Sequence, residues 1–461
     1  MMNPQIFREY DIRGVVGRDV DAADVERIGL AFGTYVRQRG GKRLAVGRDH
    51  RTSSESFCAA LSKGLQTTGC DVVDVGLVPT PLLYFSLFHL NTDGGCMVTA
   101  SHNPAEYNGI KLAFGRGALY GDEIQLIRQL AVNGPFAQGP SQRTETRVRS
   151  AYMAYITAQM QLHRRLRVVV DAGNGTSGLV VQDLLRRLGC EVYELFCEVD
   201  GSFPNHHPDP TVPENLTDVI REVKARQADV GLAYDGDSDR LGVIDERGQI
   251  IWGDRLLALF ARDILSRRPG AKIIFDVKCS QVLVADIHKH AGVPIMWMTG
   301  HSLIKKKLYD EQAALAGEMS GHMFFADGYF GYDDAIYASC RLLQILDRAK
   351  VPLSTLLSDL PVTYSTPELR VACADEEKFA VVEQLKARFQ RECPESEVIT
   401  IDGARVVFPD GWGLVRGSNT QPALVLRFEA TTPERLEAIQ TVVMNKLRDF
   451  PSVKLADKPA H

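Results

Sequence analysis

One pattern recurs three times along this chain and restricts it to a narrow set of folds. An apolar β-rich run is followed by a polar turn, a helical stretch, a small-residue turn and a second β-rich run. The first pass joins residues 44–49 to 69–75, the second 167–171 to 189–193, and the third 272–276 to 292–297. Strands alternating with helical lengths predict βαβ units and a mostly parallel sheet in each pass. Each pass then adds an apolar segment that runs into a polar, glycine-containing loop: 95–98 into 99–104, 230–234 into 235–240, and 313–316 into 317–322. Ligands of α/β sheets gather beyond the carboxyl ends of strands, so three equivalent loops are expected to face one cleft.

The remainder of the chain reads differently. After Pro361 and Pro367, Asp375 is a possible cap for a helix carrying Phe379, Val382, Leu385 and Phe389 near helical spacing. Strands follow at 396–401 and 424–428, with Leu424, Leu426 and Phe428 on one face. A last helix starts at Thr432, with Pro433 at its first position, and buries Leu436, Ile439, Val443 and Leu447. The expected fold is therefore three related α/β domains with mixed, mostly parallel sheets around a cleft, plus a C-terminal α+β domain. Boundaries are expected at 1–146, 147–250, 251–362 and 363–461, three or four domains being what 461 residues suggest. The basic stretch 143–167 reads as a connection leading into a surface helix.

A net charge of −5 and the lack of any long basic run give no reason to expect nucleic acid. No stretch reaches transmembrane length and the first residues have no apolar core, so neither membrane nor secretion is expected, and the cytoplasm is the default address. Nine cysteines, scattered singly without a C-x-x-C, argue against a disulfide framework and a zinc ribbon.

The sharpest chemical signal is Asp235-Gly-Asp237-Ser-Asp239-Arg240. Alternate side chains of an extended segment point the same way, so three carboxylates converge and repel unless a cation sits among them. Hard oxygen ligands favour Mg²⁺ or Ca²⁺. Counted from Asp235, the acids and Glu246 fall where a calcium-binding helix–loop–helix needs them. Its glycine position, however, holds Arg240, and the flanks read as β.

Ser101, beside His102, lacks the G-x-S-x-G frame of a hydrolase. It can be a loop serine, or can carry a phosphoryl group if a metal and cations such as Lys111 neutralise the oxygens. Gly173, Gly175 and Gly178 match a dinucleotide fingerprint, with Glu191 or Glu194 as the ribose acid, which keeps an NAD-dependent oxidoreductase open. Arg416, Ser418, Asn419 and Thr420 offer guanidinium, hydroxyl and backbone donors that suit a phosphate dianion. Glu318 and Ser320 suit sugar hydroxyls, and Lys278 and His301 add polar reach.

Together, Thr99-Ala-Ser101-His102-Asn-Pro, the aspartate motif, Gly317-Glu318-Met-Ser320-Gly-His322 and Arg416-Gly-Ser418-Asn419-Thr420 occur in the order of the α-D-phosphohexomutase superfamily. The sequence most resembles its bacterial phosphomannomutase/phosphoglucomutase branch, with further support from Glu9, Tyr10 and Arg13 and from residues 204–210 and 299–307. The resemblance implies a four-domain heart shape around a central cleft. By that likeness Ser101 carries the phosphoryl group, and Asp235, Asp237 and Asp239 hold one Mg²⁺ with a phosphoserine oxygen. Arg240, Lys111, Arg13 and His102 balance charge, and His322 is a candidate for proton transfer. Glu318 and Ser320 bind the sugar 3- and 4-hydroxyls, residues 416–420 grip the phosphate that is not reacting, and Tyr10, Lys278 and His301 complete the wall. The implied reaction interconverts hexose 1- and 6-phosphates of glucose and mannose in a monomer, through glucose 1,6-bisphosphate. Phosphoglucosamine mutase is the sister alternative, disfavoured by Met319. A non-catalytic sugar-phosphate or calcium-binding protein is a further one. The metal loop departs from the usual Asp-Gly-Asp-Gly-Asp-Arg at Ser238, which bears on local backbone geometry if that position needs positive φ.

Overall fold

A computed structural model describes residues 2–392, 395–418 and 421–454. Its first sheet runs in the order Ile12–Val15, Tyr107–Phe114, Gly94–Val98, Arg43–Arg48, Asp71–Leu77, Arg143–Glu145. The second runs Ile250–Ile251, Leu241–Asp245, Val230–Tyr234, Arg167–Asp171, Glu191–Leu195, and the third Val293–Trp297, Lys272–Asp276, Leu315–Gly317, Met323–Phe325. The helix-linked strands pair in parallel, as the recurring pattern predicts. Their central members, such as Arg167–Asp171 and Val230–Tyr234, are buried almost throughout because helices cover both faces.

Each sheet also reverses direction at one of the three polar loops. Gly94–Val98 turns back into Tyr107–Phe114, Val230–Tyr234 into Leu241–Asp245, and Leu315–Gly317 into Met323–Phe325. Connections this short cannot make a parallel crossover, which takes a dozen or more residues, so the chain must reverse. The three polar loops thus sit at equivalent ends of three equivalent sheets.

The fourth sheet is antiparallel, in the order Tyr364–Ser365, Ala423–Ala430, Gly411–Gly417, Ala404–Phe408, Glu397–Ile399, with Leu369–Ala372 also on Ala423–Ala430. Helices Lys378–Glu392 and Pro433–Leu447 supply Val382, Leu385, Phe389, Ile439, Val443 and Leu447 to its core. Thr432 caps the last helix by accepting the Arg435 amide at 3.3 Å. Phe379 departs from the expected stripe. The buried face is set by Val381, Val382, Leu385 and Phe389, leaving Phe379 about half exposed with its ring against Gly417.

The basic stretch also departs from expectation. Arg143–Glu145 adds an edge strand to the first sheet, and helix Arg149–Gln159 buries Tyr152, Met153 and Ile156 in a core shared by the first three sheets. Sequence charge masked this apolar face. At its centre, buried Asp334 accepts the Tyr152 and Tyr329 hydroxyls and caps helix Ala335–Ala349 through the Tyr337 amide. No helix among the described residues is long and apolar enough to cross a membrane.

Candidate active site

Ser101 leaves strand Gly94–Val98 in a left-handed turn, φ 51°, its amide donating to Thr99 Oγ1. The buried guanidinium of Arg51 holds this turn, donating to the carbonyls of Ser101, Asn103, Pro104 and Tyr107 at 2.6 to 3.1 Å. Ser101 Oγ donates to Asp235 Oδ2 at 2.8 Å and lies 3.1 Å from His102 Nδ1. With the serine proton given to Asp235, a proton on His102 Nδ1 completes the arrangement.

Asp235, Asp237 and Asp239 are fully buried in the hairpin loop between Val230–Tyr234 and Leu241–Asp245. Asp235 Oδ1 accepts the amides of Asp239 and Arg240, which closes the loop on itself. Lys111, on strand Tyr107–Phe114, reaches Asp237 and Asp239 at 2.6 and 2.5 Å, and Thr80 donates its hydroxyl to Asp237 at 2.6 Å. Burial opposes the Lys111 charge, but Asp237 and Asp239 outweigh it and hold its pKa well above that of an ordinary lysine. Burial, reinforced by Asp239 and Asp237, pushes Asp235 well above the usual carboxylate range. Asp237 Oδ1 and Asp239 Oδ1 are buried and accept no hydrogen bond from the described residues, an arrangement that costs free energy unless a cation or donor arrives. Three converging carboxylates with open oxygens fit a hard divalent cation.

Strands, not helices, flank this loop, and Glu246 faces away to accept the Ser354 amide and hydroxyl, so the helix–loop–helix calcium reading is overturned. The glycine-rich turn is explained by packing. Thr176 donates its amide to the Gly236 carbonyl at 3.0 Å and its hydroxyl meets Ser238 Oγ at 3.0 Å, while a Cβ on Gly175 would lie 2.9 Å from the Gly236 carbonyl oxygen. The turn is a buttress under the aspartates, which removes its case as a dinucleotide cradle. Ser238 does adopt positive φ, 71°.

The third loop docks directly onto the second. Arg240 and His322 form an antiparallel bridge, and the Leu241 amide donates to the Gly321 carbonyl. Arg240 Nε donates to His322 Nε2 at 3.0 Å, which places the ring proton on Nδ1, 3.2 Å from Asp333 Oδ2 and 3.5 Å from Asp239 Oδ1. Lys305 binds the other Asp333 oxygen and the Tyr84 hydroxyl. His301 stacks on His322, with Tyr10 edge-on to His301. Glu318 is buried, its pKa raised chiefly by desolvation, and accepts the Gly300 amide at 2.7 Å. Ser320 is half-buried beside it.

Arg13, on the first strand, donates to Asp11 and to Asn103 in the Ser101 loop. From the fourth sheet, Arg416 donates through Nε to Asp402 at 2.9 Å, and its buried Nη2 has no partner among the described residues. Ser418 is buried and accepts the Gln421 amide, whereas Asn419 and Thr420 lie outside the described residues. Lys278 reaches across to Glu368 at 3.2 Å. A cavity of about 540 Å³, lined by Arg164, Arg167, Lys224 and Arg247 among others, opens at the opposite ends of the aspartate hairpin's strands and shares no residue with the cluster.

Four profiles match the chain in succession. They describe alpha/beta/alpha domains I, II and III and the C-terminal domain of phosphoglucomutase/phosphomannomutase, over residues 4–137, 150–248, 252–364 and 368–446. The chain belongs to the phosphoglucomutase/phosphomannomutase family. A phosphomannomutase/phosphoglucomutase of Pseudomonas aeruginosa is 48% identical over 443 residues, covering 96% of this chain and 95% of its relative. A phosphoglucomutase of Neisseria gonorrhoeae is 46% identical over 438 residues, covering 94% and 95%. A crystal structure of a phosphoglucomutase/phosphomannomutase family protein from Burkholderia thailandensis superposes with a TM-score of 0.92 at 46% identity, covering 99% of this chain and 100% of that one. Membership makes the chain an enzyme of the phosphomannomutase/phosphoglucomutase class with the four-domain phosphohexomutase fold.

Several residues around this phosphoglucomutase/phosphomannomutase site escaped sequence reasoning. Arg51, Thr80, Asp333 and Asp402 lie outside the motifs and act through partners separated from them in sequence. Lys305, inside the 299–307 run, and Thr176, inside the glycine turn, do carry a local signal.

Proposed function

We propose that this enzyme interconverts hexose 1-phosphate and hexose 6-phosphate of glucose and mannose, with Ser101 as the phosphoryl carrier. The observation that carries the reading is the Ser101 hydroxyl, hydrogen-bonded to Asp235 within a buried cluster of three carboxylates and Lys111. Phosphate-monoester cleavage is among the slowest uncatalysed reactions, so the site must concentrate positive charge on the moving group. Lys111, Arg240 and Arg13 supply it, with His102 beside the hydroxyl. Asp235, Asp237 and Asp239 would hold one Mg²⁺, which when bound supplies Lewis-acid neutralisation of phosphoryl oxygens.

Phospho-Ser101 gives its phosphoryl group to the free sugar hydroxyl, forming a 1,6-bisphosphate. After the sugar turns over, the other phosphate returns to Ser101. In this reading His322 accepts the hydroxyl proton once Arg240 turns from its Nε2 to the phosphoryl oxygens. Glu318 and Ser320 read the sugar 3- and 4-hydroxyls, leaving position 2 unread, so both sugars serve. Arg416, Ser418, Asn419 and Thr420 grip the phosphate that is not reacting, and Tyr10, Lys278 and His301 line the cleft. We divide the domains at 1–146, 147–250, 251–362 and 363–461 and place the enzyme in the cytoplasm as a monomer.

The test is conversion of glucose and mannose 1-phosphates with Mg²⁺ and a trace of glucose 1,6-bisphosphate, with glucosamine 1-phosphate in parallel. S101A should lose the covalent phosphoryl label and at least about a thousandfold of the rate. A full label on S101A would sink the assignment, and turnover of glucosamine 1-phosphate alone would move the enzyme to the sister activity.

A further inference from the structure

The peptide Thr299–Gly300 is gripped from three domains at once. The Tyr10 hydroxyl of the first domain donates to the Thr299 carbonyl at 2.6 Å. Within the third domain, the Gly300 amide donates to Glu318 Oε1 at 2.7 Å and the Thr299 hydroxyl to Asp276 at 3.2 Å. From the fourth domain, Asp402 Oδ2 accepts the Thr299 amide at 3.0 Å. Gly300 sits at φ 137°, and a Cβ there would fall 2.4 Å from the Tyr10 ring, so only glycine fits.

The same Asp402 oxygen that takes the Thr299 amide also takes Arg416 Nε at 2.9 Å. Asp402 precedes Gly403, which sits at φ 90° and where a Cβ would fall 2.4 Å from the Val415 carbonyl oxygen, so the turn lies close against the strand bearing Arg416. Arg416 is thereby fixed through one nitrogen, while its buried Nη2 has no partner among the described residues. A guanidinium held this way loses less freedom when it meets a phosphate than one that must be ordered on binding.

We propose that Asp402 is a positioning residue: it aims Arg416 for the sugar phosphate and docks that arm on the Thr299–Gly300 peptide, whose next contact is the hydroxyl-reading Glu318. This rests on the reading of Arg416 as the phosphate grip. The Arg416–Asp402 contact lies within the fourth domain, whereas the Thr299–Asp402 contact crosses to the third and would break if the fourth domain swung away. Asp402 therefore links occupancy of the phosphate arm to closure over the sugar.

The test is steady-state kinetics on glucose 1-phosphate for the parent, D402N, D402A, R416A and D402A/R416A, with thermal unfolding of each. D402A should raise KM roughly tenfold or more, the size of a lost charge-assisted hydrogen bond, with a smaller change in kcat. D402N, which keeps an acceptor but not the charge, should fall between parent and D402A and decides the matter if D402A does not fold. The double variant should be no worse in KM than R416A, because both act through one arm. A parent-like KM in D402A and D402N beside a raised KM in R416A would overturn the role of Asp402 while leaving the phosphate grip intact. Lowered Tm with unchanged KM would do the same, as would effects that multiply in the double variant. An unchanged KM in R416A would remove the grip reading and this proposal with it.

Discussion

Ser238 occupies a backbone conformation that glycine enters more easily. At φ 71° its Cβ is strained by about 1 kcal/mol, and its hydroxyl recovers a similar amount by bonding to Thr176. The sign of substitution therefore depends on which of the two is removed. S238G relieves the strain and loses the bond, so its stability should stay within about 1 kcal/mol of the parent. S238A keeps the strain and loses the bond, and should be less stable than S238G by about 1 kcal/mol. Urea unfolding of the three proteins orders them, and S238A as stable as S238G would deny that the hydroxyl compensates. The three carboxylates of the cluster are unchanged in either variant.

At the scale of elements, the site is three short reversals at the ends of three parallel arrays. A loop of this kind has few contacts of its own, so its shape must be enforced from outside. For the serine loop the enforcer is Arg51, which satisfies four carbonyls and is paired with Asp49 at 3.2 Å, wholly out of solvent. Replacing it by methionine strands a buried carboxylate and frees the loop. R51M should lose about 3 to 5 kcal/mol of stability. R51K keeps the charge but not the planar fork, so it should recover part of the stability while carrying less phosphoryl label than the parent. Labelling and thermal unfolding measured together separate the two effects, and a parent-like label in folded R51K would show that the fork does not shape the serine loop. For the aspartate loop the enforcer is the glycine turn at 173–178, whose close approach a Cβ would block.

On the scale of the whole molecule, the first three domains share one apolar core, whereas the fourth meets the third through a small apolar cluster of Val277, Trp412 and Leu414 together with polar anchors. Buried Arg405 stacks on Trp412 and donates to the Val277 and Cys279 carbonyls, and Ser280 donates to Glu429. Lys278 and Glu368 form an ion pair across this joint, with Glu368 about 30% exposed. Lys278 holds the Glu368 pKa down, from 4.5 to about 2. A depressed carboxylate stabilises the folded form above its unfolded pKa, and that contribution is lost as pH falls from 4.5 through about 2. E368Q should therefore be less stable than the parent at neutral pH, by at most about 3 kcal/mol. The gap should narrow as pH drops below 4.5. A gap constant with pH, measured by urea unfolding, would show that the pair is not what the substitution removes.

Much of this enzyme is written locally. The period of the apolar runs and the turns between them yield three βαβ arrays. The spacing of Asp235, Asp237 and Asp239 points to a cluster that could hold a metal ion. The acids converge, however, in a tight turn, with Ser238 at φ 71° and Asp235 accepting the Asp239 and Arg240 amides, and not on the extended segment the alternation suggests. Thr432 and Pro433 start the last helix as the chain spells it. Contacts between distant segments decided the rest. Glycines that read as a nucleotide cradle became a buttress because the aspartate loop packs on them, and a basic stretch became a core helix because three domains meet there. Phe379 left the core for the surface over Gly417 because the helix turned Val381 inward instead. Arg51, Asp333 and Asp402 carry no motif, since each works through backbone or side-chain partners that sequence separates and only folding brings within hydrogen-bond reach.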